Sequence, residues 1–276
     1  NILIKTSFSE FTVMSFPVDE FPKIGEKEEN TNSLVFDREI FKDMVRKTSF
    51  AASIDESKGI LVGILTEINE ESVNMVSLDG FRLALAREEM KSAEKNRFII
   101  SAKIMNEISK IVSDDDDESD INILLGEKKA VFKIGNTEVV LRLMEGDFIK
   151  YRDIIPSDGT IKVSIGKELL LESIERASLL AKEGKNNLIK MTIKNNLLTV
   201  TSRSEEGNVK EEIVMEKTGD DLEIGFNSKF VMDVLKVIDD EEIMMIFKTG
   251  TSPCVVRPVN GDAYEYLILP VRIPSM

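Results

Sequence analysis

The sequence predicts an α+β protein built from repeated modules, each with two helices packed on antiparallel sheets. Three observations predict it. Stretches with one apolar helical face alternate with groups of short strand-like runs. Those runs follow one another through hairpin-type turns such as Asp79-Gly80, Asn195-Asn196 and Glu206-Gly207, which favours antiparallel pairing. The whole order of elements also occurs twice, with a partial third copy at the start.

Residues 1–31 read as strand, turn, strand. Their "ILIKTSFSEFTVMSFPVDEFP" resembles the closing stretches of the two later modules, "AVFKIGNTEVVLRLMEGDFI" and "CVVRPVNGDAYEYLILPV". The chain is therefore expected to begin inside a module whose front is missing. The middle module, 32–150, opens with a helix whose N-cap is Asp37 and whose apolar face is Ile40, Phe41, Met44 and Val45. Strands are expected at "GILVGILTEIN", "ESVNMVSLDG" and "FRLALAREE". A second helix follows at "SAKIMNEISKIV", then strands at "INILLGE", "KAVFKIGN" and "TEVVLRLMEG". The third module, 151–276, repeats this order. A strand and helix lie in "KVSIGKELLLESIERASLLAK", with Leu170, Leu171, Ile174 and Ala177 on the apolar face. Three strands follow in 188–215, then the helix "NSKFVMDVLKVI" and three final strands ending in "YEYLILPVRI". About seven strands per module are expected. The second helices superpose in sequence: Lys103, Glu107 and Lys110 have the spacing of Lys229, Asp233 and Lys236, and Ile104, Ile108 and Ile111 answer Phe230, Val234 and Val237.

Composition narrows the function. The 276 residues are 42% hydrophobic and 31% charged, as in soluble globular proteins, and no apolar run approaches the roughly 20 residues of a membrane helix. The sequence shows no signal-peptide pattern and its first residue is Asn1, and the single Cys254 suits a reducing cytoplasm, the expected location. With no histidine, Ser-His-Asp, Cys-His and zinc-histidine chemistry are excluded. There is no GxxxxGK[ST] loop and no GxGxxG after a strand, so no nucleotide cofactor is expected. A carboxylate-dependent enzyme using Asp79 and Glu88 is the alternative, although an Asp-Gly turn uses its aspartate structurally. The acidic run Ser113–Asp120 lacks the glycine and terminal glutamate of a calcium loop and is expected to be solvated. No metal site is expected.

Net charge is −14, yet the helices carry basic residues. Arg38, Lys42 and Arg46 form one stripe on the first helix. Lys103 and Lys110, then Lys229 and Lys236, sit two turns apart on the second helix of each module. Lys167, Arg176 and Lys182 lie on the remaining helix among Glu168, Glu172 and Glu175. Helices lining one concave surface would hold a duplex backbone loosely and without sequence preference.

Together, "DGFRLALA", "EGDFIKYRDIIP", "EIGFNSKFVMDVLKVI" and "YLILPVRI" resemble the family of bacterial DNA polymerase III β subunits, the sliding clamps, across essentially the whole chain. The resemblance implies a non-catalytic, three-module subunit that closes head-to-tail as a homodimer around double-stranded DNA and needs no cofactor. This chain would hold the end of the first module and all of the other two, and would lack one face of the usual subunit interface. The implied partners are the polymerase III catalytic subunit, the clamp loader, repair polymerases and mismatch-repair proteins, which dock short peptides in one groove. Carried over, that groove uses Leu61, Leu78, Gly80, Phe81, Arg82 and Leu83, with Ile149 and Ile154 from the intermodule segment. Asn227 and Phe230 come from the last helix, and Thr251, Leu267, Leu269, Pro270, Val271 and Arg272 complete it. Phe81 and Ile149 stand where relatives commonly carry histidine and proline. Gly59 and Ile60 replace aromatic residues that touch DNA in some members.

Overall fold

The computed structural model describes residues 1–20, 32–114, 120–183 and 187–273. Residues 115–119 of the acidic run lie outside them. A hairpin comes first, β1 (Ile2–Lys5) against β2 (Glu10–Val13). The next unit runs β3 (Asn32–Phe36), α1 (Arg38–Ser49), β4 (Gly63–Ile68), β5 (Ser72–Leu78), β6 (Arg82–Glu89), β7 (Asn96–Ser101), α2 (Ala102–Asp114), β8 (Ile121–Leu125), β9 (Lys129–Ile134) and β10 (Thr137–Arg142). The last opens with β11 (Ile161–Gly166), α3 (Lys167–Ala181), β12 (Leu188–Lys194), β13 (Leu197–Ser204), β14 (Gly207–Val214) and β15 (Glu216–Thr218). It closes with β16 (Leu222–Asn227), α4 (Ser228–Leu235), β17 (Glu242–Phe247), β18 (Cys254–Pro258) and β19 (Tyr264–Ile268). Among the described residues the units thus carry eight and nine strands, more than expected, and all their pairings are antiparallel.

Helix signals act where the sequence places them. The Asp37 carboxylate accepts from the Ile40 N–H at 2.8 Å and caps α1, and Phe41, Met44 and Val45 are buried beneath it. Asn227 caps α4 by accepting from the Lys229 N–H at 3.0 Å. Leu170, Leu171, Ile174 and Ala177 face inward on α3. Each unit has its own core: Phe36, Phe41, Met105 and Phe132 lie in one, and Ile174, Met191, Phe226 and Met245 in the other. α1 packs on α2 and on β5 and β6, and α3 packs on α4, β13 and β14.

Two four-stranded sheets, β10-β9-β8-β3 and β14-β13-β12-β16, belong to one unit each. The third sheet does not. Its order, β15-β11-β17-β18-β19-β6-β5-β4-β7, crosses the boundary between units through β19 and β6, with Leu267 opposite Leu83 and Tyr266 opposite Ala84.

Two expected strands are shorter than their apolar runs. "GILVGIL" does not begin as a strand: Glu56–Val62 is a 3-10 segment, and β4 starts at Gly63. Gly59 breaks the run at φ 57° and ψ −120°, a conformation that side chains resist. The final strand stops at Ile268 rather than running through Ile273. Pro270 has no N–H to continue a ladder, and the chain changes partner around it. The Leu269 N–H donates to the Phe81 carbonyl at 2.9 Å, whereas the Val271 N–H donates to the Gly225 carbonyl at 2.8 Å.

A charged knot ties α1 to the turn after α4. Arg46 donates to Asp43 at 2.5 Å and to the Val237 carbonyl at 3.1 Å, and it also pairs with Asp239; Lys47 pairs with Asp43 as well. Burial pushes the Asp43 carboxyl up, but hydrogen bonds from Lys47 and Arg46 outweigh it and hold the group below its ordinary value. A depressed carboxyl contributes stability above its unfolded value, near pH 4, and loses it as pH falls through the folded value. The melting temperature is therefore expected to fall between about pH 5 and pH 3. Asp43→Asn should blunt that fall and lower stability at pH 7 by no more than about 1 kcal/mol, because solvent screens the half-buried pair. Thermal melts of both proteins across that range check this.

Candidate functional site

The corner at the start of β6 is a turn built by Asp79. Its carboxylate accepts from the Phe81 N–H at 2.8 Å and the Arg82 N–H at 3.1 Å, and Gly80 adopts φ 95°. Asp79 is thereby occupied in holding the turn. Arg82 does not stand on the rim as a free polar group. It is 9% exposed, and its guanidinium donates to Asp79 (3.1 Å), Asp233 of α4 (2.5 Å) and the Phe50 carbonyl (2.7 Å). It also lies 5.3 Å from the Phe50 ring centre and 4.7 Å from that of Phe230. Phe230 stacks in turn on Phe81, at 5.9 Å and 25°. The result is a column running from the surface to the joint between units: Phe81, Phe230, Arg82, Phe50.

Beside that column, Leu61, Leu78, Leu83, Leu267 and Leu269 gather in one apolar cluster with Leu65, Val76, Phe148 and Tyr151. Leu78, Leu83 and Leu267 are buried and form its back, while Leu61 and Leu269 are half-buried and reach the surface. Phe81, Ile149 and Ile154 are exposed large apolar residues, at 60%, 40% and 41%. Pro270 and Val271 are half-buried, and Arg272 is exposed. Val271 lies so close to Gly225 that a Cβ there would stand 2.7 Å from the Val271 carbonyl oxygen, so the segment depends on that glycine. Asn227 is committed to its cap. Thr251 hydrogen-bonds within its own turn, to Thr249.

The structure spreads the basic residues over two helix pairs. Arg46, Lys103 and Lys110 line an open cleft of about 1010 Å³ between α1, the Glu56–Val62 segment and α2, together with Ser49, Ser53 and Asn106. Lys42 pairs with Glu39 at 2.9 Å, Lys110 with Glu107 at 2.8 Å and Lys167 with Glu168 at 2.9 Å. Arg176 pairs with Glu211 at 2.8 Å, and Lys236 with Glu175 at 3.0 Å. Arg38 departs from the expected stripe: its side chain is 13% exposed, and its guanidinium donates to the Val112 carbonyl on α2. It is half-buried in the helix–helix contact and already engaged there. Lys103 and Lys229 are exposed, and their ammonium groups have no ion pair or hydrogen bond among the described residues.

Residues 35–150 match the family model for the DNA polymerase III β subunit central domain, and 152–272 match its C-terminal domain. The "Beta sliding clamp" of Staphylococcus aureus is 33% identical over 273 residues, covering 98% of this chain and 72% of its own length. The chain belongs to the bacterial β sliding clamp family. Solved clamps have the same fold. The DNA polymerase III β subunit of Thermotoga maritima superposes with a TM-score of 0.89 at 33% identity, over 99% of this chain and 74% of its own. The Bacillus subtilis sliding clamp gives 0.90 at 31%, over 99% and 72%. A β clamp is a non-catalytic processivity factor, which agrees with the structural use of Asp79 and sets the carboxylate-enzyme alternative aside.

Several residues of this apolar cluster and of the Arg82 column were not singled out from sequence. Phe148, Tyr151 and Ile155 turn into the apolar cluster and leave Ile149 and Ile154 outside. Their i, i+3, i+7 spacing is a one-sided pattern that could have revealed them. Phe50 and Asp233 lie far from Arg82 in sequence, and no local pattern marks them as its partners.

Proposed function

We propose that this clamp encircles duplex DNA as a head-to-tail homodimer, with modules at 32–150 and 151–276 and the end of a further module at 1–31. Its groove between β6, the end of β19 and α4 takes short peptides from the polymerase III catalytic subunit, the clamp loader, repair polymerases and mismatch-repair proteins. One observation carries the reading: Leu61 and Leu269 open an apolar cluster to the surface beside an exposed aromatic, Phe81. Such an apolar surface with a few polar groups at its edge suits the bulky end of a peptide. A short fluorescein-labelled peptide ending in Leu-Phe should bind, and Leu269→Asp should abolish the binding.

On the helix side, most cations already have carboxylate partners, so contacts with phosphate are few. Counting Lys103 and Lys229 as two net contacts, affinity for linear duplex should fall about tenfold between 50 and 200 mM salt. Weak binding suits a ring that slides. Fluorescence anisotropy of a labelled duplex across that salt range tests it, and an unchanged affinity would overturn the assignment of this face to DNA.

A further inference from the structure

A row of polar side chains crosses the shared sheet near the groove. Arg97 on β7 is opposite Glu67 on β4, Glu67 is opposite Asn74 on β5, and Asn74 is opposite Arg87 on β6. The side chains follow this register. Arg97 lies 3.4 Å from the Glu67 carboxylate, Arg87 donates to Asn74 at 3.2 Å, and Arg87 also pairs with Asp262 between β18 and β19. The segment joining the two units lies over this row. The Tyr151 hydroxyl donates to Glu67 at 2.7 Å, and the Arg152 guanidinium donates to the same oxygen at 2.8 Å while lying 4.8 Å from the Tyr151 ring centre.

We infer that Glu67 is a positioning residue for the groove, latching the intermodule segment so that Ile149 and Ile154 stand at its rim. The inference rests on the groove reading above. Tyr151 is 3% exposed, so its hydroxyl needs a partner inside the protein, and Glu67 is the one it has. The backbone of Tyr151 is bonded to both rim residues: its N–H donates to the Ile149 carbonyl at 2.7 Å, and its carbonyl accepts from the Ile154 N–H at 3.1 Å. Holding the ring therefore holds Ile149 and Ile154, although Glu67 itself reaches neither. Two guanidinium groups against one carboxylate keep Glu67 aimed, and the phenol shares one of its oxygens with Arg152.

The test compares Glu67→Gln and Tyr151→Phe with Ile193→Val, a methylene deletion in the core of the last unit away from the groove. For each protein the melting temperature, the amide exchange of residues 148–155 and the affinity for the Leu-Phe peptide are measured. The two latch variants should bind the peptide about fivefold or more weakly, with faster exchange across the segment. Ile193→Val should lower the melting temperature and leave both other readouts alone. Wild-type peptide affinity in both latch variants would overturn the inference, as would losses that merely track melting temperature along with Ile193→Val. If Leu269→Asp abolishes binding while Glu67→Gln does not weaken it, the positioning role fails and the groove stands. If Leu269→Asp binds normally, the groove reading fails and takes the latch with it.

Discussion

Leu269→Asp is expected to weaken binding of a Leu-Phe peptide by at least about 100-fold while leaving the protein folded. The Leu269 side chain is half-buried at the mouth of the cluster formed by Leu61, Leu78, Leu83 and Leu267. In the free protein a carboxylate there can stay hydrated, because the site is open to solvent. A bound peptide would cover it and strip that water away, and the nearby leucines offer no hydrogen bond in return. Burying an unpaired charge costs about 3 kcal/mol even with partial relief, which is the stated loss. Backbone structure should survive, because the Leu269 N–H keeps its bond to the Phe81 carbonyl. Isothermal titration with the melting curve recorded alongside checks both halves of this expectation. Wild-type affinity in a folded variant would remove Leu269 from the groove.

Arg82→Ala is expected to lower stability by about 3 kcal/mol or more, among the largest losses from a single change at the joint between units. The substitution removes three hydrogen bonds and a guanidinium packed between two rings. It strands Asp233, 26% exposed, and the Phe50 carbonyl beside a void. Arg82→Lys should recover little, since a compact ammonium group lacks the fork that reaches three separate acceptors while packing against Phe230. A fall of several degrees in melting temperature for both variants, largest for alanine, is the expected readout. Equal melting of Arg82→Ala and wild type would show that the column contributes nothing to the joint.

Arg82 also shows where sequence reading reaches its limit. The repeated order of elements, the caps Asp37 and Asn227 and the Asp79-Gly80 turn are local features, so periodicity and turn chemistry reveal them directly. The family motifs likewise named Leu61, Leu78, Leu83, Leu267 and Leu269, which the fold gathers in one apolar cluster. What stayed hidden depends on pairings across long stretches of chain. Nothing near Arg82 tells that Asp233 will meet it, so its part as an internal tie between the units is not legible locally. The tie of Arg38 to α2 stayed hidden for the same reason, because its acceptor is a carbonyl on another helix. Apolarity alone cannot reveal that Gly59 bends the backbone out of "GILVGIL", so the run reads as one strand. Lys103 and Lys229, by contrast, are exposed as their helical positions predict.

The pairing of β6 with β19 also sets an order of events while the protein is being made. Ala84 and Tyr266, directly opposite each other, are about 180 residues apart in the chain. Closing so long a loop is entropically slow, and at the ribosome it cannot begin until β19 has emerged. At the usual pace of synthesis, β6 waits roughly ten to forty seconds for its neighbour. Until then Leu83 has no Leu267 beside it, and Phe81 has no Leu269 amide to accept from. A nascent or prematurely terminated chain therefore lacks the strand pairing that joins the two units until translation has passed Ile268.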